Sequence, residues 1–202
     1  MDEQTELKSR REEHREQTRA ALLEAGRAIF ADVGFGAAGT EAIARKARVT
    51  RGAFYHHFED KLALFDAVVV SLCAEAAAKI EKKVGKKSDL WESLFAGITV
   101  YLDECTEPDY SIIVIQNAPA ILGEKRYRDI DESHAAGLLA TNIEALIAAG
   151  KINCDDPTLL SRMINAMICK VAVLLPSQRN SKALKADAVL MIERCLTAFR
   201  PN

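Results

Sequence analysis

The chain has 202 residues, 49% of them apolar and 6% aromatic, with ten glycines and five prolines. That length suits one large domain or two small ones, and the shortage of turn residues excludes a β-sandwich in favour of an all-helical protein. A net charge of −2 excludes a cationic field over the whole molecule, so affinity for nucleic acid requires a local patch.

The first nineteen residues, MDEQTELKSRREEHREQTR, are charged throughout, unlike a signal peptide. Residues 1–14 read as a flexible tail. Lys8, Arg10 and Arg11 could serve as a basic arm, but the glutamates among them favour plain solvation. From 15 to 33, Ala21, Leu22, Ala25, Ala28, Ile29 and Val33 recur at helical spacing, and Gly34 stands as a stop before a loop at 35–39.

Two short helices follow, 40–47 with Thr40 as N-cap and 50–58 with Thr50 as N-cap. Asp60 caps a longer helix, 60–84, that carries Leu62, Leu64, Phe65, Val68, Val69 and Leu72. The stretch GKKSD at 85–89 is the expected domain boundary. Further helices are expected over 90–105, 109–118, 125–149, 157–175 and 181–199, broken by Pro108, Pro119, Gly150, Asp156-Pro157 and Pro176. Only SIIVI at 111–115 could be misread as a strand.

The apolar runs at 67–73 and 171–176 are too short to span a bilayer, so the expectation is a soluble cytoplasmic protein. Cys73, Cys105, Cys154, Cys169 and Cys195 are widely spaced and form no CxxC or Cys/His ligand pattern. They read as reduced thiols packed as small apolar groups, with Cys154 alone in a polar turn. Neither metal nor cofactor is expected.

Function concentrates in residues 40–64, TEAIARKARVTRGAFYHHFEDKLAL. Two short helices joined at Arg48-Val49 must cross steeply, with Ile43, Ala44, Ala47 and Val49 inside the crossing and Phe54 and Phe58 fixing the second helix to the body. That second helix then presents Thr50, Arg51, Gly52, Tyr55 and His56 outward. Such a face can enter a major groove end-first, Arg51 reaching guanine edges and Gly52 allowing close approach. Thr40 and Lys61 begin flanking helices, whose N–H groups favour phosphate. Five basic residues (Arg45, Lys46, Arg48, Arg51, Lys61) face three acidic ones (Glu41, Glu59, Asp60) between 40 and 61.

The spacing Thr40-x-x-Ile43-Ala44-x-x-Ala47-x-Val49-Thr50-x-Gly52-x-Phe54-Tyr55-x-His57-Phe58-x-x-Lys61-x-x-Leu64 closely resembles the tetracycline-repressor (TetR) family. The resemblance implies a helix-turn-helix at 15–66, the connecting helix starting within it, and a sensing and dimerising domain at 85–202. It implies base contacts from Thr50, Arg51 and Gly52, and phosphate contacts from Thr40, Tyr55, His56, His57 and Lys61. His57 could equally be a packed residue. Arg48 departs from the family's usual glycine, a cost of roughly 1 kcal/mol if its φ is positive.

Towards the C-terminus, Leu159, Leu160, Met163, Ile164, Met167, Ile168, Val171, Leu174 and Leu175 cover more than one helical stripe, and Leu184, Val189, Ile192, Leu196 and Phe199 supply another. The surplus suits a homodimer through 157–175 and 181–199, although burial within a layered domain would use it too. Residues 109–150 also resemble the family's C-terminal domain, which implies a pocket for a small-molecule effector. Trp91, Phe95, Tyr101, Gln116, Asn117, Tyr127, His134 and Met167 are its candidate lining. No phosphate loop, nucleophile elbow or HExxH motif supports an enzyme. Asp129, Asp131, Glu132 and His134 read as an exposed helical run. A helical interaction module without DNA binding is the other alternative, and intact Thr50, Arg51, Tyr55 and Lys61 argue against it.

Overall fold

A computed structural model describes the backbone of residues 3–85, 87–177 and 180–201, with side chains from Glu12 onward except that of Ser177. The side chains of Lys8, Arg10 and Arg11 lie outside the described residues. Every regular element among the described residues is helical. The chain divides into two compact units, residues 1–70 and 71–202. The division falls within the fourth helix, so the turn at 85–89 lies inside the second unit.

In the first unit, α1 (Glu3–Ala37) starts well before residue 15. Residues 3–14 are therefore helical rather than a loose tail; they contain neither glycine nor proline and are rich in good helix formers. Gly34 breaks α1 at φ 73, ψ 170, a conformation open to glycine, and residues 35–37 resume helix beyond the kink. The inward face of α1 is Leu22, Ala25, Gly26 and Phe30, whereas Ala28 and Val33 point to solvent.

Two further helices, α2 (Thr40–Lys46) and α3 (Arg51–His57), have only seven residues each, too few to persist alone. Ile43, Ala44, Phe54 and Phe58 are buried and hold them to the body. At about 1.5–3 kcal/mol per fully buried large side chain, this packing supplies what short helices lack. Thr50 caps α3 as expected, its Oγ1 accepting the Ala53 N–H at 3.1 Å. Thr40 is not the cap of α2: Gly39 occupies that position, and the Thr40 hydroxyl faces across to α3 instead. Asp60 caps α4 (Lys61–Val84) by accepting the Ala63 N–H at 2.7 Å.

The second unit holds the rest of α4 and α5 (Leu90–Glu104), which approach closely at Gly97; a Cβ there would lie 3.3 Å from both Ile80 and Val84. The expected helix at 109–118 is instead a short α6 (Pro108–Tyr110), a π-helical stretch Ser111–Asn117 and α7 (Ala118–Leu122). Pro119 lies in the first turn of α7, where its missing N–H disturbs little.

The expected helix at 125–149 is two, α8 (Glu124–Glu132) and α9 (Ala135–Ala148). The break brings the Glu132 carbonyl so close to Gly137 that a Cβ there would lie 2.4 Å from it. Then come α10 (Pro157–Leu174) and α11 (Ser181–Thr197). At 18 residues with only Arg162 and Lys170 charged, α10 is long and apolar enough on those two counts to cross a membrane. The shorter runs read from the sequence understate it.

The chain reversal after α2 is a Schellman motif: Val49 N–H bonds to Ala44 O at 3.0 Å and Arg48 N–H to Arg45 O at 3.1 Å. The same motif ends α9, with Lys151 bonded to Leu146 and Gly150 to Ile147. Gly150 takes φ 66 there, and Arg48 must take φ 58. A side chain in this left-handed region costs roughly 1 kcal/mol. Arg48→Gly should therefore raise the stability of the first unit by up to about 1 kcal/mol, read by chemical denaturation. Unchanged or lower stability would show that the Arg48 side chain makes good the strain.

Candidate nucleic-acid interface

On α3 the packing residues and the outward residues alternate as the helix turns. Phe54 is fully buried and Phe58 nearly so, which leaves Arg51, Gly52, Tyr55 and His56 on the solvent side, beside Thr50. Gly52 has no structural need for its missing side chain: a Cβ would meet only Thr50 Oγ1, at 3.8 Å. The fold itself does not require a glycine at this position.

Arg51 is already oriented. Its Nη1 donates to Glu41 Oε1 at 2.8 Å, and its guanidinium lies over the Tyr55 ring, 5.7 Å from the centroid. The Tyr55 hydroxyl stands 3.5 Å from Thr40 Oγ1. That hydrogen bond, and then the one to Arg51, draw the phenol below its ordinary pKa. Thus α2 and α3 share one polar surface, with Glu41 an unforeseen member.

Two expected phosphate contacts are placed differently. The His57 ring is half-buried, and burial, ahead of His56, Arg15 and Arg19, lowers its pKa, so the neutral form is favoured. Arg15 and Arg19 extend the basic surface along α1, and their i, i+4 spacing was the signal available for them. The Lys61 ammonium faces inward to α1. It donates to Phe35 O at 2.6 Å, Ala38 O at 2.9 Å and Gly36 O at 3.4 Å, and stands 4.4 Å from the Phe35 ring centroid. A lysine has three N–H donors, and all three are used here.

The candidate effector residues scatter through the second unit. An apolar cavity of about 30 Å³, room for about one water molecule, is lined by Ile80, Leu94, Tyr101, Leu139, Asn165 and Ile168 among others. Tyr101 is the one expected residue on its wall. Trp91 and Phe95 lie at a surface groove; the Trp91 indole donates to Glu193 at 3.2 Å and lies under Arg200. Met167 lines a groove between α10 and α11.

Gln116 and Asn117 bond within the π-helical stretch, to Ser111 and to Ile112. The Nδ1 of His134 lies 2.7 Å from Ile130 O. Tyr127 is held well above its usual pKa by burial, near Asp131. The sequence reading missed Asn142, Asn165 and Ser93, which line the cavity, and took Asp131 for a surface residue. Burial pushes the Cys73 and Cys169 thiols up to about 12, and Cys105 higher still, so these three behave as inert packing groups.

Comparison with known proteins gives one consistent match. Residues 22–68 match the model of bacterial regulatory proteins of the tetR family, and residues 91–199 that of the tetracyclin repressor-like C-terminal domain. The Tn10 TetC protein of Escherichia coli is 27% identical over 171 residues, 83% of this chain and 85% of that protein. A TetR-family transcriptional regulator of Pectobacterium atrosepticum superposes with a TM-score of 0.79 at 28% identity, covering 94% of this chain and 97% of the other. FadR of Bacillus subtilis, solved in complex with stearoyl-CoA, superposes at 0.74 over 86% of this chain and 96% of its own, but at 16% identity it shares the fold alone.

The inward ammonium of Lys61 sets a test. Lys61→Met keeps the aliphatic stem and deletes the donors, so residues 34–40 should lose protection from hydrogen exchange and the first unit about 1–3 kcal/mol of stability. The salt dependence of DNA binding should keep its slope. A slope smaller by about one, with stability intact, would mean that Lys61 contacts phosphate after all.

Proposed function

Because the chain belongs to the TetR family of bacterial transcriptional regulators, we propose that it is a homodimeric cytoplasmic repressor released from its operator by a small-molecule effector. As a member it is a DNA-binding regulator of transcription. The reading assigns DNA contact to residues 15–66, and sensing and dimerisation to residues 85–202. Gly52 carries the assignment of α3 as the reading helix. It sits at the exposed start of the helix, where the fold would accept a larger residue.

Arg51, presented by Glu41 and Tyr55, reaches guanine O6 and N7, with Thr50 beside it. Thr40, Tyr55, His56 and the N–H groups at the start of α4 take phosphates. The second unit's exposed apolar side chains support the dimer. Leu159, Met163, Val173, Leu190 and Met191 are between 45% and 62% exposed, all on α10 and α11. Burying them against a second copy would form a four-helix bundle. Leu196 belongs to the core instead, at 0% exposure.

Coupling between effector and operator would run through α4, which contributes to both units. An effector that favours another tilt of this helix changes the separation of the paired α3 helices. They must match successive major grooves, about 34–36 Å apart or a multiple of that. By reciprocity, operator weakens effector binding by the same factor.

Two variants test the reading. Gly52→Ala should leave the fold intact or stabilise it by up to about 1 kcal/mol, while weakening operator binding in a fluorescence-anisotropy titration. Arg51→Ala should cost about 1–3 kcal/mol of specific binding and relax preference at one base pair per half-site. If Gly52→Ala bound operator like the wild type, α3 would not be the reading helix. Met191→Glu should yield folded monomers in sedimentation, because the new charge would have to be buried in the dimer. A wild-type monomer would refute the dimer.

A further inference from the structure

Asp131, on α8, is a half-buried carboxylate that forms no salt bridge with a lysine or arginine among the described residues. Its Oδ2 accepts one hydrogen bond, from the Asn165 amide at 2.9 Å. Cys73, Tyr101 and Cys105, within electrostatic reach of it, are held neutral by burial. Tyr127 on its own helix and Cys169 on α10 are neutral for the same reason. His134 is the titratable base nearby, with its Nδ1 engaged at the Ile130 carbonyl. Glu132, its neighbour in sequence, adds a like charge.

Two arginines share the groove that Asp131 lines, but each stands beside another carboxylate. Arg128 lies 3.8 Å from Glu124, and Arg162 lies 3.7 Å from Glu132. A carboxylate withdrawn from water beside neutral groups costs folding free energy, and burial accordingly raises the pKa of Asp131. A carboxylate so placed at the rim of a groove is a candidate binding group.

The surroundings fit a small molecule. The groove between α8, α9 and α10 has a volume of about 440 Å³, inside the range of about 300–1,000 Å³ typical of ligand sites. Ala136, Gly137, Ala140 and Ala166 keep it open by their small size. Asn165 lines this groove and also the apolar interior cavity. The Asp131–Asn165 pair therefore stands where a polar groove adjoins an apolar interior. Because the Asn165 amide donates to Asp131, its own carbonyl oxygen remains an acceptor beside the carboxylate.

We propose that this pair is the recognition site for an organic cation, whose N–H groups are taken by the Asp131 carboxylate and the Asn165 carbonyl, and whose apolar body lies in the groove. The proposal rests on the reading of the second unit as the effector-binding part, and it names the chemical class of the effector. An anion of the same shape would meet Asp131, Glu132 and Glu144, while both arginines of the groove are already beside glutamates. A neutral isostere would leave Asp131 uncompensated.

Three probes of one shape and different charge test this on the full chain by isothermal titration: benzamidinium, benzamide and benzoate at neutral pH. Benzamidinium should bind most tightly. Asp131→Asn, which keeps the shape, should weaken benzamidinium by about tenfold or more and leave benzamide within about twofold. Glu132→Gln, a change of charge on the same groove, should alter benzamidinium by less than Asp131→Asn does. Equal binding of the three probes, no binding of benzamidinium, or indifference to Asp131→Asn would overturn the cation site. Operator binding by the wild type and by Asp131→Asn, followed by anisotropy, separates the two readings. Its loss in the wild type would refute the regulator, whereas its persistence in Asp131→Asn with benzamidinium indifferent would refute the cation site alone.

Discussion

Lys61 ties the start of α4 to the end of α1. One ammonium collects the carbonyls of Phe35, Gly36 and Ala38, at and just past the C-terminal end of α1, and lies over the ring of Phe35. Phe35 in turn packs edge-on against Phe65, which does the same with Phe30, each at 5.1 Å. Gly26 lets Leu64 approach α1 so closely that a Cβ would sit 3.0 Å from it. Between these two helices the seven-residue α2 and α3 find the packing they cannot supply for themselves.

On the scaffold so fixed, the outward face of α3 is electrostatically prepared. Arg51 and Glu41 are both well exposed, so their ion pair contributes little to stability. Its value is geometric. A guanidinium held by a carboxylate on one side and an aromatic face on the other has fewer orientations to lose when it meets a base edge. The local basic excess around it also explains how a chain of net charge −2 can approach a polyanion.

The second unit has the opposite character. Its interior holds an apolar cavity with room for about one water molecule, while α10 and α11 carry several large apolar groups on the outside. Phenols and thiols are withdrawn into this unit, and methionines are exposed on its last helices.

Much of this was legible in the sequence, because it depends on neighbours in the chain. The helix-turn-helix spacing, the Thr50 and Asp60 caps, the break at Gly34 and the left-handed Arg48 follow from local backbone geometry and helical period. Tyr101 lines the interior cavity, and the seven residues named with it lie elsewhere.

Other features depended on partners far along the chain. Lys61 reaches back 23 to 26 residues, Asp131 meets Asn165 across 34, and Trp91 meets Glu193 across 102. The Thr40 hydroxyl faces Tyr55 instead of capping α2, and Asp131 changed from an exposed charge to a half-buried one where α8 ends at Glu132 and turns. A sequence states the chemistry of each side chain and its helical phase. Which polar groups lose water, and which partner each one finds, is decided only when the helices pack, since desolvation and hydrogen-bond geometry are properties of neighbours in space.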